Sequence, residues 1–154
     1  MPSTRRTFVA GVAVSLALPV LGRVAAAADG DGWVATLAPA DLADGGFSAK
    51  YTDQHFILAR VGAKISALDT KCTHQGCAIK VRGTQIVCPC HGGRYDGQGR
   101  VLKGPPKRSL ARHPLRLNAQ GVIEVDAAHT VGEDDPKAVL EIAPPATGPA
   151  SQPG

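Results

Sequence analysis

Aromatic side chains are scarce in this chain of 154 residues, at 4%. Periodicity of 3.6 residues is almost absent, which argues against helices packed through apolar stripes. Glycine, at 18, and proline, at 12, are plentiful, and that balance points to short strands joined by turns rather than to a helix bundle. No GxGxxG or GxxxxGK(S/T) pattern occurs, so a phosphate cradle of either kind is excluded. The length leaves no room for a TIM barrel or a two-domain dinucleotide enzyme. Charged residues at 19% and apolar residues at 44% describe a globular chain, neither disordered nor membrane-embedded as a whole. There is no internal repeat.

The formal charge of +4 overstates the basicity of the body. Arg5, Arg6 and Arg23 lie in the first 28 residues, and without them 14 Lys and Arg face 13 Asp and Glu. A near-neutral body argues against nucleic-acid binding. The charge is uneven: Arg94 to Arg116 holds seven Lys and Arg and one Asp.

The chain opens with two adjacent arginines, Arg5 and Arg6, before an uncharged apolar run from Phe8 to Leu21. Pro19, Gly22 and Arg23 break the run, and Ala25 to Ala28 offer small-residue cleavage positions. Charged, apolar and cleavable segments in that order make an export signal. The Arg pair followed by Thr-Phe resembles a twin-arginine signal, which carries folded proteins across the membrane. The alternative is an uncleaved anchor, for which the apolar run is short of the roughly 20 residues a spanning helix needs. Residues 1–28 are therefore separated from a domain at 29–127. Residues 128–154, Pro- and Gly-rich towards the end, form an extension expected to be mostly disordered.

Within the domain, Trp33 to Leu37 reads as a first strand and Ala38 to Gly46 as a loop. His55 to Val61 and Lys64 to Leu68 form a hairpin across Gly62-Ala63. Gln85 to Cys88, Arg100 to Lys103, Ala111 to Leu117 and Val122 to Val125 are further strands. Cys72 to Gly76 and His91 to Gly99 are loops. Asp135-Pro136 starts one short helix through Ile142. Several short strands at close spacing predict an all-β antiparallel sandwich or barrel.

All four cysteines fall in two clumps, Cys72-Thr73-His74-Gln75-Gly76-Cys77 and Cys88-Pro89-Cys90-His91-Gly92-Gly93. Each pairs cysteines with one histidine on a loop. Three chemistries compete. Two disulfides would suit an exported protein, but leave the matching histidines without a role. Structural zinc accepts two Cys and two His, yet its usual spacing groups like with like; here each loop mixes one of each, as C-x-H and C-x-x-H. An iron–sulfur cluster of the kind with two thiolates on one iron and two imidazoles on the other fits the mixed loops. His55, His113 and His129 lie outside the clumps and read as ordinary surface histidines.

The boxes CTHQGC and CPCHGG resemble those of the Rieske family, in its disulfide-containing branch. That branch includes the Rieske subunits of cytochrome bc-type quinol oxidases and the small subunits of exported oxidoreductases such as arsenite oxidase. The resemblance spans roughly Gly32 to Asp126. It implies one 2Fe–2S cluster held by Cys72, His74, Cys88 and His91, with a Cys77–Cys90 disulfide and no catalytic residue of the chain's own. A small cluster-binding subdomain formed by the two loops is expected on the β domain, covered by Gly104-Pro105-Pro106, which resembles the family's proline loop. One departure stands out. High-potential members usually carry Ser after the second box's His-Gly pair, where its hydroxyl bonds a cluster sulfide, and Tyr two residues later, bonding a cysteine sulfur. Here the first position is Gly93, while Tyr95 is kept. Losing one donor to sulfur makes reduction harder.

The implied role is a one-electron carrier at the outer face of the cytoplasmic membrane or in the periplasm. Its implied partners are a cytochrome b- or c-type protein or an oxidoreductase large subunit, with quinol as a small-molecule donor and membrane association through the N-terminal segment. Reduction adds one negative charge to a neutral site. Lys71, Lys80, Arg82, Arg94 and Arg100 would favour that charge and docking on an acidic partner.

Overall fold

The computed structural model describes residues 32–142; residues 1–31, where a twin-arginine signal is expected, and residues 143–154 lie outside them. Twelve short strands and three single-turn 3-10 helices make up the described chain. In order they are β1 (Trp33–Ala35), β2 (Phe47–Ser48), β3 (Phe56–Val61), β4 (Lys64–Asp69), β5 (Lys80–Arg82), β6 (Gln85–Val87), β7 (Arg94–Tyr95), β8 (Val101–Lys103), β9 (Arg112–His113), β10 (Leu115–Leu117), β11 (Ile123–Asp126) and β12 (Leu140–Glu141). All pairings are antiparallel and form three sheets. One has the order β1-β11-β10, the second β12-β4-β3-β2 with β9 also on β4, and the third β5-β6-β7-β8.

The β3–β4 hairpin is the middle layer. Its turn at Gly62-Ala63 places Gly62 at φ 61°, a left-handed conformation that glycine adopts without a Cβ clash. Alternate side chains of β3 point to opposite faces, and here both faces are apolar. Phe56 and Leu58 join Ile65, Ala67, Leu115, Ile123 and Val125 in one core. Ile57 and Ala59 join Leu68, Ile79, Ile86, Tyr95 and Leu110 in another. The first core faces the β1-β11-β10 sheet, the second the β5–β8 sheet. A run such as Phe56-Ile57-Leu58-Ala59 is what a strand covered on both sides requires.

Several sequence expectations need correction. Ala111 to Leu117 is not one strand: Pro114 divides it into β9, which pairs with β4, and β10, which pairs with β11. Proline has no N–H to give a continuing ladder. The loop expected at His91 to Gly99 contains β7, paired with β6 and β8. The helix expected from Asp135 to Ile142 is one 3-10 turn, Pro136–Ala138, capped by the Asp135 carboxylate accepting from Lys137 N–H at 2.8 Å. Beyond it, β12 pairs with β4. Residues 128–142 thus belong to the fold, and Ala138 is fully buried.

His113 is the largest correction to the histidine reading. Far from being a surface residue, it is 2% exposed, tilted against the Phe56 ring at 5.8 Å. Its Nδ1 lies 3.1 Å from the Asp126 carbonyl, and its Nε2 lies 3.7 Å from Asp69 Oδ2, an ion-pair distance. Burial disfavours the imidazolium, but the Asp69 carboxylate and the Asp126 carbonyl outweigh it, so the His113 pKa is raised above its ordinary value. Asp69 is correspondingly held low, burial being outweighed by His113 and by the Lys71 N–H. A raised histidine adds stability that is complete below its unfolded pKa and is lost as pH rises through its folded one. Urea midpoints should therefore fall as pH rises past the ordinary histidine range. Asp69→Asn should flatten that slope, and an NMR titration of the His113 ring should show its pKa dropping.

Candidate metal centre

The two loops spring from the ends of sheet strands. The first, residues 70–79, joins β4 to β5; the second, residues 88–93, joins β6 to β7. They are built on the same hydrogen-bond frame. Cys72 N–H donates to the Cys77 carbonyl at 2.8 Å, and Gly76 N–H to the Cys72 carbonyl at 2.8 Å. Cys88 N–H donates to the Gly93 carbonyl at 2.8 Å, and Gly92 N–H to the Cys88 carbonyl at 3.1 Å. Each cysteine thus closes a turn with a glycine four residues on. Those glycines have φ 72° and 69°, which explains the glycine at the same place in both boxes.

Inside the matched frames the side chains differ. Cys72 and Cys88 are buried and unbridged, while His74 and His91 are exposed. The two imidazoles meet edge to face with ring centroids 4.9 Å apart. Cys77 and Cys90 are disulfide-bonded, with Cα atoms 6.5 Å apart, and join the loops covalently. The sulfurs of Cys77, Cys88 and Cys90 lie within 4.8 Å of one another. Two of them are committed to the bridge, so that trio is no ligand set. The bridge sits beside the Cys88 thiol.

Tyr95 is fully buried beneath the first loop. Its hydroxyl lies 3.2 Å from Cys72 Sγ and 3.1 Å from Thr73 Oγ1, and it accepts from Thr73 N–H at 3.2 Å. The Thr73 hydroxyl donates to the Arg108 carbonyl at 2.7 Å. That uses its only proton, so Thr73 Oγ1 accepts from Tyr95, and the single Tyr95 proton is shared between it and the Cys72 sulfur, which as a thiolate accepts only. Burial opposes ionisation of Cys72, but the Tyr95 hydroxyl and the N–H groups of His74 and Gln75 outweigh it and lower its pKa. Burial and the neighbouring Cys72 push the Cys88 thiol up.

The proline loop closes over the second box. A Cβ on Gly104, at φ 102°, would stand 2.8 Å from Gly93 Cα. A Cβ on Gly93 would stand 2.9 Å from Pro106 Cγ, and Pro106 is buried. Backbone therefore packs on backbone where the two segments meet. Sequence reading missed Thr73 and Asp69. Thr73 ties the first box to both Tyr95 and the proline loop. Asp69 accepts from Lys71 N–H at 2.6 Å and sets the entry to the first loop. The hydroxyl in the box and the acid three residues before Cys72 were the available signals. Arg100, grouped by sequence with the charges around the site, lines a separate cavity of about 330 Å³ with Arg112 and Glu133.

Two matched loops presenting buried thiols and exposed imidazoles from an antiparallel β scaffold define a domain that binds a metal cluster in mixed sulfur and nitrogen coordination. Residues 32–114 match the Rieske [2Fe-2S] domain, and the chain belongs to that family. Among curated relatives it is 44% identical over 62 residues to a carotenoid phi-ring synthase of Chlorobaculum tepidum, covering 39% of this chain and 10% of the relative. It is 32% identical over 81 residues to the cytochrome b6-f complex iron–sulfur subunit of the same organism, covering 51% and 44%. The cyanobacterial plasma membrane Rieske protein PetC3 of Synechocystis PCC 6803 aligns with a TM-score of 0.41 and 26% identity over 60% of this chain and 97% of that one. The chain spans less than half the length of these two curated relatives.

The donor set fits the cofactor of this family, a 2Fe–2S cluster. Free thiols lie inside, imidazoles outside, and a hydroxyl donor stands at one sulfur. The packing generates a test. Gly104→Ala must displace the Gly93 backbone and should loosen the proline loop, raising the rate at which chelator bleaches the visible spectrum of the loaded protein. Replacing Cys77 or Cys90 by Ser should lower stability by roughly 2–4 kcal/mol, read from denaturant unfolding.

Proposed function

We propose that this protein carries single electrons through a 2Fe–2S cluster, as the iron–sulfur subunit of a quinol–cytochrome c reductase-type chain. Cys72 and Cys88 would hold the inner iron, and His74 and His91 the outer one. The observation that carries the reading is the division of burial: two unbridged thiols enclosed beneath two solvent-facing imidazoles, on loops of identical hydrogen-bond frame. When bound, the cluster supplies a one-electron ferric–ferrous couple.

The chain's own residues do the rest. The Tyr95 hydroxyl donates towards Cys72 and favours the electron-rich state. Thr73 holds that hydroxyl in place and pins the proline loop. The Cys77–Cys90 bridge and Pro106 restrict opening of the loops and shield the sulfur side from water. His74 and His91 turn outward, where a ring nitrogen exchanges a proton with solvent or with a quinol. Relatives named as cytochrome b6-f iron–sulfur subunits support a cytochrome as partner. Residues 1–28 serve as the twin-arginine signal, placing the domain at the outer face of the cytoplasmic membrane or in the periplasm.

Protein purified from a host with iron–sulfur assembly should contain two iron atoms and two acid-labile sulfides per chain, expected from the cluster type. One zinc per chain without sulfide overturns the reading. His74→Ala or His91→Ala should abolish the Rieske electron-resonance signal.

Gly93, in place of serine, sets a lower potential within the family's upper range. Gly93→Ser alone is a poor test, because the added Cβ meets the Pro106 ring. In a Pro106→Ala background the serine should raise the midpoint potential by on the order of 40 mV, about 1 kcal/mol of hydrogen bonding to the reduced state. Voltammetry of the double variant against Pro106→Ala alone decides it. Equal potentials mean that the sulfide already has its donor.

A further inference from the structure

We propose that the cavity at the turn end of the β3–β4 hairpin binds a small zwitterion of the amino-acid class, its carboxylate on Arg112 and its ammonium at Glu133 and Asp134. The site lies apart from the cysteine–histidine loops and does not depend on the electron-carrier reading.

The cavity exists because the core stops short of the turn. One face of the hairpin carries Ile57, Ala59 and Val61 on β3, opposite Leu68, Ser66 and Lys64 on β4. At the loop end Ile57 and Leu68 are enclosed in a core. Towards the turn, Ala59 and Ser66 pair with each other, and both are too small to fill the space beside them. Gly97 closes on Val61 without a side chain, where a Cβ would stand 3.1 Å from Val61 Cγ2. About 330 Å³ is left open, within the range of small-molecule sites.

Into this space the fold sends a charge. His113 turns to the Phe56 side of β9, so its neighbour Arg112 turns to the other and lines the cavity. Arg112 is 5% exposed. Its backbone is fixed from both sides, paired with Leu68 on β4 and exchanging hydrogen bonds with Val131 at 3.1 and 2.7 Å. The guanidinium pairs with no carboxylate among the described residues. Its Nη2 donates to the Gln98 carbonyl at 2.9 Å, and its Nε is enclosed without an acceptor. Five N–H donors thus meet one carbonyl. Burial lowers the Arg112 pKa and Arg100 adds to this, against the pull of Glu133, Asp96 and Asp134, yet a guanidinium stays charged. A buried charge without a partner is a cost to the fold, and a carboxylate entering the cavity supplies the partner. Ser66, buried and lining the same cavity, adds a hydroxyl.

The rim selects a zwitterion over a plain anion. Glu133 and Asp134, both exposed, line it together with Arg100 and Lys64. Lys64 is engaged with Glu141 at 3.7 Å. The Asp96 carboxylate accepts from the Gln98 and Arg100 N–H groups at 2.8 and 2.9 Å. That leaves Arg112 and Arg100 balanced by Glu133 and Asp134. A plain anion is drawn by the first pair and repelled by the second, whereas a molecule carrying both charges is attracted by each.

The test is titration calorimetry of the loaded, full-length protein at low salt with glycine and with γ-aminobutyrate. Butyrate and butylammonium, each keeping one charge of γ-aminobutyrate, and sulfate are the controls. At least one of the two zwitterions should bind, and more tightly than any control. Arg112→Met should weaken that binding by about tenfold or more. Without ligand it should not lower the melting temperature, since it removes an unpaired buried charge. Glu133→Gln with Asp134→Asn should weaken the zwitterion by about fivefold while leaving butyrate no weaker. These two residues are exposed, so the rim variant decides the matter even if Arg112→Met fails to fold. No heat from either zwitterion at about 10 mM, a weaker-than-millimolar affinity, overturns the proposal. Butyrate or sulfate binding as tightly as the zwitterion overturns it in favour of a plain anion site. Unchanged zwitterion binding in the rim variant or in folded Arg112→Met overturns it as well.

Discussion

A hairpin with no polar face holds this molecule together. Phe56 and Leu58 on one side and Ile57 and Ala59 on the other cannot all be covered by a single partner sheet, so β3 and β4 must lie between two. Burying both faces at about 25 cal/mol per Å² commits the hairpin to the centre. Everything functional is then attached to its ends. Asp69, the last residue of β4, turns the chain into the first loop through the Lys71 N–H, and Thr70 N–H reaches the His55 carbonyl at 2.9 Å. The same carboxylate faces His113 from below, which ties the middle layer to β9 and β11. The loop that presents Cys72 is thus anchored in the most deeply buried part of the protein.

On that base the site is made by repetition rather than by symmetry of sequence. Both loops close the same turn, with glycine four residues after the buried cysteine. The histidine follows at the second position in one and at the third in the other. The spare cysteine sits at the fifth position in the first loop and at the second in the other. The disulfide joins these unlike positions across the gap, and the imidazoles end up edge to face on the surface. The proline loop completes the enclosure by packing backbone on backbone at Gly93 and Gly104. A side chain at position 93 and a buried Pro106 compete for one space, so the missing serine and the tight cover are a single structural fact.

Charge is handled in the opposite way from burial. The lobe that carries the two cysteine–histidine loops is almost free of acids, while the base that supports it carries them, including Asp69 and Asp126 under His113. This arrangement would favour an added negative charge at that site and gives the molecule a directional field, which matters for encounter more than for final affinity.

The family, the all-β class and the central hairpin were legible in the sequence. Cysteine and histidine spacing reflects a chemical requirement, and Gly62-Ala63 between two apolar runs leaves one local solution. The chain could not reveal that Pro114 sends β9 and β10 to different sheets, or that Leu140–Glu141 returns to pair with β4. Pairs of residues so far apart in sequence meet only when the whole core closes. His113 reads locally as one more surface histidine, because its burial is supplied by Phe56, Asp69 and Asp126 from three other strands. Gly93 shows the division most clearly: its identity was evident from the box, but only the folded chain brings Pro106 against it, because that contact is made by a loop that local spacing does not place.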